Sequence, residues 1–181
     1  DDIDNFIEFC IETFGEKNLK PIPLSNSAIY DFEINCEDIN DYQQDWSINS
    51  VKITFAECSD NVGLKDILEN DKFILDGNIK ISSTEAIFKM KSLMFYKRVK
   101  SRDYFDLLTL YAKGFSPKDT IELIQNYELA YQDNGIELFY LKLSQQVYKK
   151  EFDEPLTGLT KDVRSFEDMK KELISKINPN F

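Results

Sequence analysis

Two residues of opposite charge lie in neighbouring predicted helices at positions where the pattern favours apolar side chains. On a helical wheel, Lys91 falls inside a continuous arc of apolar residues, and Asp103 falls between Leu107 and Leu110 of the next helix. An ionised group in such a position costs free energy unless it is paired or borders a cavity. The two side chains therefore indicate an ion pair or a binding site, in which Lys91 binds an anion and Asp103 orients Lys91 or acts as a base.

A strongly basic loop joins the two helices. Residues 97–102 carry four positive charges, although the formal net charge of the chain is −11. The loop comes directly before a helix N-terminus, where unpaired backbone N–H groups favour an anion. Lys91, Asp103 and this loop together predict a site for a polyanion, with Asp106 at the margin of the apolar arc.

Structural explanations stay open for each of these features. The ammonium of Lys91 can reach solvent while its stem packs on apolar neighbours. Asp103 can be an acidic residue that complements the helix dipole, and the loop can be a solvated surface. A Lys91–Asp103 ion pair that only joins two helices is a further alternative.

The elements that must position these residues are helices in the second half of the chain. Ser82 and Glu85 have the spacing of a capping box and predict the start of a helix that runs to about Lys97. The second helix is predicted from about residue 101 to residue 113, before a glycine that suits its end. Start signals and periodicity predict three further helices, which begin near residue 116, cover residues 136–150 and cover residues 166–177.

The first half of the chain shows the pattern of strands instead. Apolar and polar residues alternate in residues 29–34 and 51–55. Asp76-Gly77 lies between two further apolar runs and predicts a hairpin. A strand-rich half followed by a helix-rich half predicts an α+β protein with parts at residues 1–82 and 83–181.

Size and composition exclude several classes of protein. With 181 residues, of which 42% are hydrophobic, the chain is long enough to form a folded core. The net charge of −11 opposes general binding to duplex nucleic acid. Three widely spaced Cys and no His exclude a disulfide framework and a zinc site, and they favour a reducing, cytoplasmic location. No apolar run approaches the roughly 20 residues that span a membrane.

Residues 84–107 resemble the C-terminal signature of the AbiEii/AbiGii toxin family of nucleotidyltransferases. The matching positions, aligned without a gap, are Lys91, Arg98, Arg102, Asp103 and Asp106. The resemblance implies a polymerase-β-type fold, in which a small mixed β-sheet flanked by helices is followed by a helical C-terminal part. It also implies a bacterial toxin of a toxin–antitoxin or abortive-infection system that binds a nucleoside triphosphate and transfers a nucleotide to RNA.

The resemblance also implies roles for these residues. Lys91 would contact triphosphate oxygens, and Arg98, Arg102 and Asp106 would support the binding of the substrate. Lys91 and Asp103 would be the catalytic residues.

A metal site near the start of the chain is implied in the same way, because Asp2-Ile3-Asp4 looks like the family's Asp-x-Asp pair. On a strand, Asp2 and Asp4 share a face and suit Mg²⁺ or another divalent cation. The family's preceding Gly-Gly/Ser element is absent and the chain begins with Asp1, so we expect a truncated piece of a longer protein. Apolar residues at helical spacing leave a helix open instead, with both carboxylates as first-turn acids.

Two functions follow from these observations. The first is a metal-dependent nucleotidyltransferase toxin that acts on a nucleoside triphosphate, with RNA or another hydroxyl as acceptor. The alternative is an inactive or truncated interaction module that binds an antitoxin or another protein partner through its acidic surface. In the alternative, Lys91 and Asp103 would be a structural pair.

Overall fold

A computed structural model describes residues 2–24, 29, 39, 43–56, 62–77, 79–96, 100–131, 134–144 and 164–178. The chain divides into two compact units, Asp1–Asp60 and Asn61–Phe181. The described residues form seven α-helices, one 3-10 helix and five strands, and these strands make two small antiparallel sheets. The predicted α+β class is confirmed. The predicted division at residue 82 stays a prediction.

The first unit combines one helix with a three-stranded antiparallel sheet in the order β1-β2-β3. Ile7 and Cys10 of the helix pack with Leu19 and Ile48 of the sheet to form a small core. In chain order, its elements are α1 (Asp2–Phe14), a 3-10 helix (Glu16–Asn18), β1 (Leu19–Ile22), β2 (Gln43–Ile48) and β3 (Val51–Ala56).

The strand considered for Asp2-Ile3-Asp4 is wrong, and the helical alternative is confirmed. Ile3, Ile7 and Cys10 recur at the spacing of one helix face and belong to a single apolar cluster. Because successive helical residues are about 100° apart, Asp2 and Asp4 are separated by roughly 200° around α1. On a strand the two residues would share a face, but in a helix these two positions do not.

Strands β2 and β3 form a tight hairpin. Asn49 and Ser50 connect them with φ angles of 48° and 67°, as a two-residue turn of the mirror-image type requires. Strand β3 confirms the strand predicted at residues 51–55. Strand β2 was not predicted, because only Trp46 and Ile48 among its six residues are apolar.

The second unit contains six helices and a two-stranded hairpin among its described residues. The predicted hairpin is confirmed, with Asp76 opposite Ile79 and Gly77 at a φ of 59°. In chain order, its elements are α2 (Val62–Asn70), β4 (Phe73–Asp76), β5 (Ile79–Ser82), α3 (Thr84–Phe95), α4 (Ser101–Ala112), α5 (Pro117–Tyr131), α6 (Gly135–Ser144) and α7 (Phe166–Ile177).

The helix starts in this unit depend on short polar caps. Helix α3 begins one residue later than the capping-box spacing predicted, because the side chain of Ser83 accepts a hydrogen bond from the backbone N–H of Ala86 at 3.1 Å. The predicted start of α5 is confirmed, with Asp119 accepting from the backbone N–H and the hydroxyl of Ser116 at 2.7 Å each. Helix α7 has the predicted bounds.

Helix α3 has neighbours on several sides, since it contacts α2, α4, α5 and α6. On a helical wheel, Ser92 and Tyr96 lie on the side opposite the apolar arc, yet both are buried, with exposures of 0% and 1%. Ile87 lies in the apolar arc on the same wheel, but it is 39% exposed. The wheel assumed burial on one side only, and the packing of four helices around α3 makes that assumption wrong.

Some predicted elements lie outside the described residues, namely most of the strand at 29–34 and the last part of the helix at 136–150. Helix α2 and strand β1 were not predicted. None of the described helices is long and apolar enough to span a membrane.

Candidate functional site

Lys91 of α3 and Asp106 of α4 form a short ion pair. The Nζ atom of Lys91 lies 2.5 Å from Oδ2 of Asp106, and each side chain is 31% exposed. The carboxylate that meets Lys91 is therefore the one expected at the margin of the apolar arc. The ammonium is held in a defined position and still has access to solvent, which is what a lysine needs in order to bind an incoming anion.

Asp103 lies in the first turn of α4 and is 1% exposed. Leu107 and Leu110, which flank it on the helical wheel, are also buried, so its predicted burial is confirmed. The first turn of a helix favours a carboxylate because the backbone N–H groups there carry a partial positive charge. The predicted roles of Asp103, as a catalytic residue or as the residue that orients Lys91, stay predictions.

The basic loop is described only where it enters α4. Lys100 is the N-cap residue of this helix and Arg102 lies in its first turn, and both are partly buried. Arg102 thus adds a positive charge at a helix start, where an anion is already favoured. Lys97 and Arg98 lie outside the described residues, and the predicted contribution of Arg98 to binding stays a prediction.

A network of buried hydroxyl groups, which includes Ser92, the residue after Lys91, was not predicted from the sequence. The hydroxyl oxygen of Thr120 in α5 lies 2.8 Å from that of Tyr111 in α4 and 3.4 Å from that of Ser92 in α3. Burial raises the pKa of Tyr111 to about 12, so its hydroxyl is neutral at ordinary pH. Through Thr120, these hydroxyl groups join α3, which carries Lys91, to α4, which carries Asp106.

Lys89, two residues before Lys91, has a different environment. Its ammonium lies 2.9 Å from Oδ2 of Asp71 and 3.6 Å from Oε1 of Glu85. The hydrogen bond with Asp71 is the main reason why the pKa of Lys89 is raised. With two carboxylates already around it, Lys89 makes a suitable comparison for Lys91, because both are partly exposed lysines of one helix.

Asp45 is a buried carboxylate of the first unit, and both of its oxygen atoms accept hydrogen bonds from side chains. Lys52 Nζ lies 2.7 Å from Oδ2, while Oδ1 accepts from Thr54 at 2.7 Å and from Gln43 at 3.3 Å. Burial by itself would raise the pKa of Asp45, but these hydrogen bonds outweigh it and lower the pKa below its ordinary value. The arrangement explains how a charge is tolerated inside a small sheet.

The metal site that the resemblance implies, with Asp2 and Asp4 as ligands, stays a prediction. No group of three or more His, Cys, Asp or Glu side chains within the described ranges is placed to hold a metal ion. Asp2 and Asp4 lie in helix α1 and not on a strand.

An apolar cavity of the second unit does not coincide with the Lys91–Asp106 pair. Its volume is about 530 Å³, and none of the predicted site residues lines it. The lining side chains come from α6, α7 and the residue after α7, and they include Tyr140, Leu141, Ile174 and Ile177. A triphosphate needs cationic groups, which this lining does not supply.

Comparison with known protein families gave one match that covers most of the chain. The family described as nucleotidyl transferase AbiEii toxin, type IV toxin–antitoxin system, matches residues 12–177. No curated protein and no solved structure matches the chain. The matched range contains both α3 and α4, and with them the Lys91–Asp106 pair. The chain therefore belongs to the AbiEii nucleotidyl transferase toxins of type IV toxin–antitoxin systems.

Proposed function

We propose that the chain binds a nucleoside triphosphate at Lys91 and transfers its nucleotide to a hydroxyl group of RNA. The Lys91–Asp106 ion pair supports this most directly, because it presents a partly exposed ammonium within the segment that resembles the family signature. Triphosphate oxygens offer that ammonium stronger charge-assisted hydrogen bonds than water does. Arg98 and Arg102 add positive charge beside the start of α4.

In the proposed transfer, the acceptor hydroxyl oxygen forms a bond to the α-phosphorus of the triphosphate. The bond from that phosphorus to the oxygen of the leaving pyrophosphate breaks, and Lys91 with the two arginines stabilises the charge on the pyrophosphate. The hydroxyl proton passes to a carboxylate, since the chain has no His. Asp103 is 1% exposed, so we assign it the role of orienting Lys91 and not the role of the base.

A divalent cation such as Mg²⁺ belongs to the expectation from the resemblance, with Asp2 and Asp4 as its predicted ligands. Among the described residues, no group of three or more His, Cys, Asp or Glu side chains could hold it, and the proposed steps use only residues of the chain. We further propose a cytoplasmic location and a counteracting antitoxin, since the family is one of toxin–antitoxin systems.

Titration calorimetry with each nucleoside triphosphate, with and without Mg²⁺, tests the proposal. We expect one triphosphate to bind, and Lys91→Ala to weaken that binding at least about tenfold, a loss of roughly 1.4 kcal/mol. Lys89→Ala is the matched control, because it removes the same charge from the same helix at a residue that pairs with Asp71 and Glu85. It should leave the affinity within about twofold.

The interaction-module alternative gives a different result in the same experiment. It predicts that no triphosphate binds, or that Lys91→Ala and Lys89→Ala have equal effects, and either result would refute the proposal. Thermal unfolding of Lys91→Met supplies the second readout. The Lys91–Asp106 pair is partly exposed, so we expect a change of less than about 1 kcal/mol in the free energy of unfolding, with binding lost in a protein that still folds.

A further inference from the structure

The β4–β5 hairpin exposes five large apolar side chains. Their exposed fractions range from 42% to 63%. Within the described part of the chain, β4 and β5 pair only with each other, so each has an unpaired edge. Exposed apolar edge strands are templates for pairing with another strand. The five residues are Phe73, Ile74, Leu75, Ile79 and Ile81.

The backbone groups on the outer edge of β4 can be identified from its pairing with β5. The backbone N–H of Ser83 donates to the carbonyl of Lys72 at 3.3 Å, so the carbonyl of Lys72 points towards β5. In an antiparallel pair this orientation alternates along the strand. The N–H and C=O groups of Phe73 and Leu75 therefore point away from β5, towards the unpaired edge.

The sequence around β4 is complementary to itself in one antiparallel register. Residues 72–76 read Lys-Phe-Ile-Leu-Asp. When two copies are related by a two-fold axis at Ile74, Phe73 of one copy lies opposite Leu75 of the other, and these are the residues with free backbone groups. In the same register, Lys72 of one copy lies opposite Asp76 of the other, at both ends of the pairing.

We infer that two copies of this chain associate through their β4 strands into one four-stranded antiparallel sheet, β5-β4-β4-β5. The interface is isologous, as two-fold symmetry requires. A register shift of two residues keeps the same faces together but loses both Lys72–Asp76 pairs. The outer edge of β5 does not offer this complementarity, because β5 carries Lys80 and no acidic residue to pair with it.

Sedimentation velocity of the whole chain at about 100 μM protein tests the inference. We expect a dimer. Lys72→Glu and Asp76→Lys should each raise the dissociation constant at least about tenfold, because each puts like charges opposite one another at both ends of the pairing. The double variant Lys72→Glu/Asp76→Lys should restore the dimer. Lys113→Glu, the same change at an exposed position in the turn after α4, is the control and should leave the dimer intact.

Leu75→Pro gives an independent test that does not depend on charge. It removes an N–H that points towards the open edge and leaves the ladder with β5 in place, so the fold should persist while the dimer is lost. Circular dichroism checks that the variant is folded. If Leu75→Pro unfolds the hairpin, the variants Lys72→Glu and Asp76→Lys and their combination test the inference by themselves.

Three results would overturn the inference. The first is a monomer at this concentration with backbone amides of β4 that exchange rapidly with solvent. The second is a monomer whose β4 amides are protected, which would show that another part of the same chain covers the strand. The third is a dimer that neither Lys72→Glu nor Asp76→Lys weakens, which would place the contact elsewhere. The inferred dimer does not depend on the proposed nucleotide transfer. A result that refutes one of the two proposals does not refute the other.

Discussion

Buried and partly buried charges in this chain serve different purposes at the scale of single residues. Asp45 receives hydrogen bonds from three side chains, and the carboxylate is fully occupied by its own unit. Lys91 meets Asp106 while 31% of its side chain stays exposed. Burial of a charge therefore does not by itself mark a functional residue. A charge that is held in place and still reachable is the better indicator.

The depressed pKa of Asp45 makes the first unit sensitive to acid. Because the pKa is lower in the folded state, the stabilisation is present above the ordinary Asp value near 3.8 and is lost as the pH falls through the folded-state pKa. We expect Asp45→Asn to flatten the decline of stability below about pH 4. Urea unfolding followed by the fluorescence of Trp46, the single tryptophan of the chain, measures this in the first unit.

Thr54→Val is the control for this experiment, since it removes one hydrogen bond to Asp45 and keeps the charge. It should leave an acid-dependent decline that still begins near the ordinary Asp value but is smaller, because the loss of this hydrogen bond brings the folded-state pKa closer to that value. An unchanged pH profile for Asp45→Asn would show that Asp45 does not carry the acid sensitivity.

At the scale of the elements, the hydroxyl chain of Ser92, Tyr111 and Thr120 ties three helices together at one point. All three hydroxyls lie in the interior, where an unpaired polar group is costly. Each helix therefore has a preferred rotation about its own axis, because only one rotation brings its hydroxyl to Thr120. The Lys91–Asp106 pair lies on two of these three helices and benefits from the same constraint.

Thr120→Val removes the shared hydroxyl at nearly constant volume, and we expect it to lower the free energy of unfolding by about 1–3 kcal/mol. The loss arises because the hydroxyls of Tyr111 and Ser92 stay buried without their partner. Thr120→Ser keeps the hydroxyl and should recover part of this loss. Denaturant unfolding followed by circular dichroism compares the two variants, and equal losses would contradict the role of the hydroxyl.

The raised pKa of Tyr111 predicts that the second unit loses stability at alkaline pH. Its pKa of about 12 in the folded state is above its ordinary value of 10.0, mainly because the residue is buried. The stabilisation is complete below about pH 10 and is lost as the pH rises from 10 towards 12. We expect Tyr111→Phe to make the alkaline decline shallower in thermal melts. The pKa of Tyr104 is also raised by burial, so part of the decline should persist.

For the whole molecule, the net charge of −11 opposes the approach of any polyanion. The basic loop at residues 97–102 is a local exception, and a bound triphosphate would rest on short-range contacts with it and with Lys91. At about 0.1 M salt the screening length is roughly 10 Å, so salt removes the distant repulsion while leaving short contacts largely intact.

We therefore expect the association rate of a fluorescent nucleoside triphosphate to rise between about 20 mM and 100 mM salt, opposite to the trend for basic nucleic-acid-binding proteins. Stopped-flow mixing measures this rate directly. Lys91→Ala is the control, because it should speed dissociation without reversing the salt trend. A rate that falls steadily with salt would mean that the basic loop, and not the overall charge, governs the encounter.

Local patterns predicted several elements well, for identifiable reasons. Asp76-Gly77 indicated the β4–β5 hairpin because a two-residue turn with positive φ needs such residues, and Gly77 adopts a φ of 59°. Helix α7 has the predicted bounds because Ser165 caps it and Asn178 ends it. Strand β1 was not predicted, since Lys20-Pro21 disrupts an apolar pattern that only its pairing with β2 makes clear.

The sequence by itself determined the charges, the capping residues and the periodicities, because these depend on residue type and on neighbours a few positions away. It therefore indicated that Lys91 and Asp103 lie in consecutive helices and that Asp103 is buried. Only the tertiary structure decided that Asp106 meets Lys91 and that Ser92 joins Thr120. Those outcomes depend on how helices rotate and pack against one another, which is set by contacts between residues far apart in the chain.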